Sequence, residues 1–163
     1  MNSETSSTKP SAPIPNWLLS LFVAVSAIGF LDSAYLAAKY FLGSPITCTL
    51  LKGCEKVTSS AYSHLFNLPI SLFGVVYYLT LFFLSVYASG LKEEGKKLHL
   101  ADFIRHFTVF GFVASLYFIF LQALILKALC LYCLVSAATS TTLFILGLSM
   151  VKYIRSNPII TND

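Results

Sequence analysis

The sequence predicts an all-α integral membrane protein, a four-helix bundle with an extracytoplasmic loop or half-helix between its first and second spans. Composition is the first reason. Hydrophobic residues make up 56% of the 163 and charged residues 11%, where an ordinary soluble domain carries about 25% charged; the mean hydropathy is +0.77. Length is the second, since each apolar run suits a hydrocarbon core of about 30 Å, which about 20 helical residues cross. The third is the placement of polar residues, which gather between the apolar runs rather than inside them. The chain length allows one compact domain.

Taken in order, residues 1–16 are rich in Ser, Thr and Pro without apolar periodicity and read as a disordered tail. The membrane domain covers 17–153, with spans at about 17–42, 69–89, 103–126 and 129–152, and 154–163 form a second tail. Trp17 fits an interfacial anchor. The first run is too long for a cleaved signal peptide and follows only Lys9, so it reads as an uncleaved anchor. Residues 43–68 form a polar connection, and Pro69 opens the second span, because proline is tolerated at a first helical position. Residues 91–102 are a charged loop. From Phe107 to Val151 the only charge is Lys127, and so long a run must be two spans folded back at that lysine.

Four crossings put both tails and the charged loop on one side. The 43–68 connection and the Lys127 bend then share the other. The tail side carries seven cations, Lys9, Lys92, Lys96, Lys97, Arg105, Lys152 and Arg155, against four on the other, Lys39, Lys52, Lys56 and Lys127. The positive-inside bias makes the tails cytoplasmic. The formal charge of +4 forms no basic stripe, which argues against nucleic acid as a partner.

Four cysteines, Cys48, Cys54, Cys130 and Cys133, lie in two pairs on the extracytoplasmic side. Disulfides persist in such compartments. Cys130 and Cys133 stand at i and i+3 at the start of the fourth helix, which places both sulfurs on one face within bonding reach. A helix N-terminus favours the thiolate, and a lower thiol pKa makes a better leaving group. Cys54 has Lys52 and Lys56 beside it, which favour its thiolate, and Gly53 lets the connection turn. The plainer alternatives are that the CxxC cysteines are apolar helix residues and that Cys48 and Cys54 staple a loop. A structural zinc site fits poorly, because the five residues between Cys48 and Cys54 exceed the usual ligand spacing, and no metal is expected.

A dithiol oxidised repeatedly needs an electron acceptor. No GxGxxG or phosphate-cradling loop is present. A lipid-dissolved quinone needs only an apolar pocket between helices with a few polar groups, and Ser60, Phe66, Phe73, Tyr77 and Tyr78 fall near the level of Cys133. Aromatics so placed also pack helices or form interfacial belts. Gln122 in the third span either bonds across helices or approaches the quinone. Asp32, inside the first span, either helps move protons or faces a wet cavity.

The order Cys48…Cys54-Glu-Lys-Val-Thr-Ser-Ser60, then Leu68-Pro69-Ile70-Ser71-Leu72-Phe73-Gly74, then Cys130-Leu-Tyr-Cys133 resembles the vitamin K epoxide reductase family in its bacterial form, over about residues 17–152. DsbB-type oxidases use similar chemistry, but their CxxC precedes the loop cysteines. The resemblance implies a relay: Cys48 exchanges with a thioredoxin-like partner, Cys54 with Cys130, and Cys133 reduces the quinone. Ser60 matches the family's serine six residues after the second loop cysteine. The implied cofactor is ubiquinone or menaquinone, with phylloquinone a further option. The implied setting is a bacterial inner membrane, with a monomer in contact with membrane lipid. Many bacterial members carry a fused thioredoxin-like domain, and the short tail after the last span leads to the expectation of a separate, DsbA-like partner.

Two departures bear on the chemistry. The animal enzymes keep an asparagine at the position of Ile70 and a tyrosine at that of Ala137. Without these polar handles, quinone reduction is favoured over epoxide reduction. The resulting expectation is a quinone-dependent thiol oxidoreductase with Cys48, Cys54, Cys130 and Cys133 catalytic, and Ser60, Phe73, Tyr77 and Gln122 at the quinone. The alternatives are a vitamin K epoxide reductase proper and a membrane scaffold whose disulfides are structural.

Overall fold

The computed structural model describes residues 15–44, Cys54, Val57, 64–65, 68–91 and 94–156. Four helices dominate: α1 (Asn16–Phe41), α2 (Ile70–Gly90), α3 (Glu94–Phe120) and α4 (Leu131–Ser156). A short ribbon of β1 (His64–Leu65) and β2 (Leu68–Pro69) precedes α2, pairing His64 with Pro69 and Leu65 with Leu68. The fold is the expected all-α bundle. All four helices are long and apolar enough to cross a membrane, the third continuing through a π-helical turn (Leu121–Leu126). Cys48, Ser60 and Phe66 lie outside the described residues.

The helix ends follow from local chemistry. After Phe41 the backbone turns left-handed at Gly43, φ +61°, where a side chain would be strained. The N–H groups of Gly43 and Ser44 then donate to the carbonyls of Tyr40 and Lys39, at 3.1 and 3.2 Å, capping α1 in a Schellman motif. Pro69 is extended, with ψ 137°, and α2 starts at the next residue. The predicted reversal falls at Lys127, the one non-glycine residue among those described with positive φ, 46°. Its neighbour Ala128 donates to the carbonyl of Gln122 at 3.1 Å, which closes the wide turn.

The packing reverses the rule for soluble proteins. Ser26, Ser33, Ser85, Thr108, Thr139 and Ser140 are buried, whereas Leu31, Val76, Phe83, Phe110 and Ile145 are each more than half exposed. Lipid tails are as apolar as leucine, so helix association there depends on close packing and hydrogen bonds. Ser26, Ser85 and Thr108 return their protons to Val23, Phe82 and Arg105 carbonyls at 2.7–2.8 Å. Small residues let the helices close: a Cβ at Gly29 would strike the ring of Tyr78, and one at Gly111 the hydroxyl of Tyr77.

α1 packs on α2 and α4, and α3 lies mainly along α4. The main core is Leu18, Phe22, Tyr78, Leu81, Ile104, Leu143 and Met150. A smaller cluster of Leu36, Cys54, Val57 and Cys130 closes the end of the bundle where α1 finishes and α4 begins. At the other end Asp102 lies 3.6 Å from Arg105 and 3.7 Å from Arg155, bridging α3 to α4.

Candidate active site

Cys130 immediately precedes α4, and its carbonyl accepts the N–H of Leu134 at 3.1 Å, the first bond of the helix. The N–H of Cys130 itself would be an orphan in a buried setting, a costly state. Gln122, held inward by the π-helical turn, supplies its Oε1 to that N–H at 3.1 Å. The Gln122 side chain also hydrogen-bonds Cys133. One amide thus braces both members of the CxxC pair.

Cys130 and Cys133 are free thiols, and the Cys133 thiol hydrogen-bonds the Cys130 sulfur. That bond, aided by the backbone N–H groups of Cys133 and Tyr132, pulls the Cys130 thiol from its ordinary 9.0 down to about 7, against the opposing effect of burial. The first turn of α4 therefore favours the thiolate, as a helix N-terminus should. Cys130 is fully buried, while Cys133 is partly exposed.

Cys54 is disulfide-bonded and buried at 1% exposure. It belongs to the same apolar cluster as Cys130, and Cys133 packs against that cluster. Cysteines 76 positions apart in the chain are thus brought together, one in a disulfide and the other a free thiol. Beside them the rings of Tyr35 and Tyr132 stand 5.1 Å apart.

The other expected residues are placed as follows. Phe73 faces outward from α2, 46% exposed. Tyr77 lies four residues further along, its ring 5.2 Å from Phe107 and 5.0 Å from Tyr78. The Tyr77 hydroxyl and Ser140 Oγ are near neighbours, yet both are buried without a hydrogen bond of good geometry. Ile70 is partly exposed and Ala137 buried. Gln122 sits on the cysteine pair, so its observed contacts are to the dithiol.

Tyr78, expected near the level of Cys133, and Leu36, absent from the expected site, complete the surroundings. Tyr78 is fully buried, and its hydroxyl donates to the Ser136 carbonyl at 2.7 Å while contacting Ser136 Oγ at 3.0 Å and Thr139 Oγ1 at 2.9 Å. It ties α2 to α4 one turn below Cys133. Leu36 is the α1 residue packed in the cysteine cluster. Among many leucines, Leu36 carries no spacing that marks it out.

A family model for the vitamin K epoxide reductase family matches residues 20–148. The chain belongs to that family. It is also similar to the thiol-disulfide oxidoreductase LTO1 of Arabidopsis thaliana, with 34% identity over 129 residues, covering 75% of this chain and 34% of that protein. The chain thus spans about a third of that relative's length.

Proposed function

We propose that this protein is a quinone-dependent thiol oxidoreductase that reoxidises a thioredoxin-like partner and so drives disulfide formation in exported proteins. The observation that carries this reading is the disulfide-bonded Cys54 packed in one apolar cluster with the free thiol of Cys130. A scaffold with static staples gives no reason to place a free CxxC pair beside a disulfide.

On this reading Cys48 and Cys54 form the outer disulfide. A partner thiolate attacks Cys48, Cys54 leaves as thiolate, and the partner's second thiol resolves the mixed disulfide. Cys54 then attacks Cys130 of the inner Cys130–Cys133 disulfide, and Cys133 departs. Cys48 attacks Cys54 in turn, restoring the outer disulfide and releasing Cys130 as thiolate. Two electrons have now moved inward, and the inner pair is a dithiol. The observed state, with Cys54 oxidised and Cys130 and Cys133 reduced, corresponds to this stage. The raised acidity of Cys130 favours its departure, because a more stable thiolate is a better leaving group.

Membership of the family implies a quinone as acceptor. The orphaned hydroxyls of Tyr77 and Ser140 suit it, being unpaired buried polar groups between α2 and α4 that a carbonyl oxygen would satisfy. These two residues would hold the head group, with Phe73 at the lipid-facing side and Ser60 a further candidate. A bound quinone supplies a two-electron, two-proton sink. Cys133, partly exposed and one turn above Ala137, is the thiol that faces it. The setting consistent with the charge distribution is a bacterial inner membrane, tails cytoplasmic and cysteines outside.

The test is quinone reduction, followed by absorbance, by purified protein in nanodiscs with a reduced thioredoxin-like protein as donor. Cys130→Ser and Cys133→Ser should abolish turnover. Cys48→Ser should abolish it with the protein donor but keep it with a small dithiol. Full activity in Cys130→Ser or Cys133→Ser, or no reduction of any quinone by the unaltered protein, would overturn the reading.

A further inference from the structure

The inner pair raises a proton problem that its own residues do not solve. The Cys133 thiol hydrogen-bonds the Cys130 sulfur, so the reduced pair in its reactive form is a monoanion holding one shared proton. Oxidation to the disulfide releases two electrons and that one proton. It happens at the end of an apolar cluster, around a cysteine of 0% exposure, where bulk water has poor access. A base is needed nearby.

Asp32 occupies the right place. It lies on α1 between Gly29, whose backbone meets the Tyr78 ring, and Leu36, which packs against Cys54 and Cys130. Positions 29, 32 and 36 are spaced i−3, i and i+4, so they share one helix face. That face turns toward α2 and α4, and Asp32 lies within electrostatic range of Cys130 and Cys133. Its Oδ2 is buried without a hydrogen-bond partner. An ionisable group within a span is costly and is normally kept for a task or a partner. The described residues offer Asp32 no cation. The titratable groups around it are Tyr78 on α2 together with Cys130, Tyr132 and Cys133 at the start of α4.

We propose that Asp32 is the proton acceptor of the Cys130–Cys133 pair. As the S–S bond forms, the two electrons pass to the acceptor of the proposed function, and the Asp32 carboxylate takes the shared proton. The carboxylic acid then returns that proton to the reduced quinone, whose second proton comes from water and replaces the one Cys130 gave up on becoming a thiolate. The reverse transfer serves the inward step: when Cys54 attacks Cys130, Asp32 protonates the departing Cys133. In neither direction is Cys133 left as a second thiolate in the apolar cluster. This inference rests on the proposed relay for its electrons, but its thiol chemistry can be measured without any quinone.

The experiment uses the full chain in nanodiscs, unaltered and as Asp32→Asn and Asp32→Glu. With the inner pair reduced and no quinone present, the alkylation rate of Cys130 by iodoacetamide is followed against pH with mass readout. The expected wild-type curve shows two linked protonations, as strongly interacting groups do, and Asp32→Asn reduces it to one. In single-turnover oxidation by a short-chain quinone, Asp32→Asn should be slowed about 100-fold, the scale of general acid–base catalysis, with Asp32→Glu restoring most of the rate. Retention of the Cys54 disulfide in each variant establishes folding. Superimposable alkylation curves for Asp32→Asn and the unaltered protein would overturn the proposal. If the curves differ but no quinone is reduced by any form, the relay reading fails and the proton role of Asp32 stands.

Discussion

The side-chain oxygen of Gln122 accepts the backbone N–H of Cys130 at 3.1 Å. The bond joins the π-helical turn to the start of α4 and fixes Cys130 by its backbone rather than by its sulfur.

Gln122→Leu should therefore leave a buried N–H unsatisfied, at a cost of about 1–3 kcal/mol. The expected outcome is a lower thermal midpoint together with faster alkylation of Cys130, as the start of α4 opens more often. Gln122→Glu keeps an acceptor oxygen and should disturb the N–H bond less. Equal midpoints for Gln122→Leu and the unaltered protein would show that the bond contributes nothing.

The acidity of Cys130 gives a pH prediction with a definite sign. Its thiol is drawn from 9.0 to about 7, first by the Cys133 hydrogen bond. Alkylation in a protein whose Asp32 is replaced by Asn should rise with pH and level off above about 7. Cys133→Ala removes the largest cause, so the midpoint should move up toward 9.0. By linkage, the stability that the depressed value contributes is complete above 9.0 and is lost as pH falls through about 7. A midpoint unmoved by Cys133→Ala would assign the shift to the helix terminus alone.

Tyr78→Phe keeps the ring against Gly29 but removes the bonds to Ser136 and Thr139. A loss of about 1–3 kcal/mol is expected from the stranded polar groups. Thermal denaturation should register this, whereas the reactivity of Cys130, which Tyr78 does not hold, should change little. A large change in thiol reactivity with unchanged stability would instead put Tyr78 in the redox chemistry.

Tyr77 and Ser140 offer the opposite pattern. Removing both hydroxyls, as Tyr77→Phe with Ser140→Ala, deletes two buried groups that lack good partners, so stability should hold or rise. The apparent affinity for a short-chain quinone should fall about tenfold, as expected for losing roughly 1.4 kcal/mol. An unchanged KM would place the head group elsewhere.

The architecture was legible because lipid imposes a length on each helix, and Lys127 interrupts a run too long for one crossing. The π-helical form of the turn before it was not legible, since Leu121–Leu126 is apolar like its surroundings. The CxxC pair was readable from its spacing alone. The approach of Cys54 to Cys130 joins residues 76 positions apart, and helical periodicity carries no information about so distant a contact. Gln122 stood out as a polar residue in a span, but the sequence left open whether it served helix bonding or a quinone. Its contact with Cys130 follows from the backbone geometry of the wide turn.

The most direct test of the relay is a trap. In Cys133→Ser the inner pair cannot close, so the Cys130 thiolate should attack the outer disulfide at Cys54 and stop there. Non-reducing digestion with mass readout is expected to yield a Cys54–Cys130 linked peptide and a free Cys48 thiol, released by dithiothreitol to separate peptides. Recovery of an intact Cys48–Cys54 disulfide with Cys130 free, under every redox condition tried, would contradict the account.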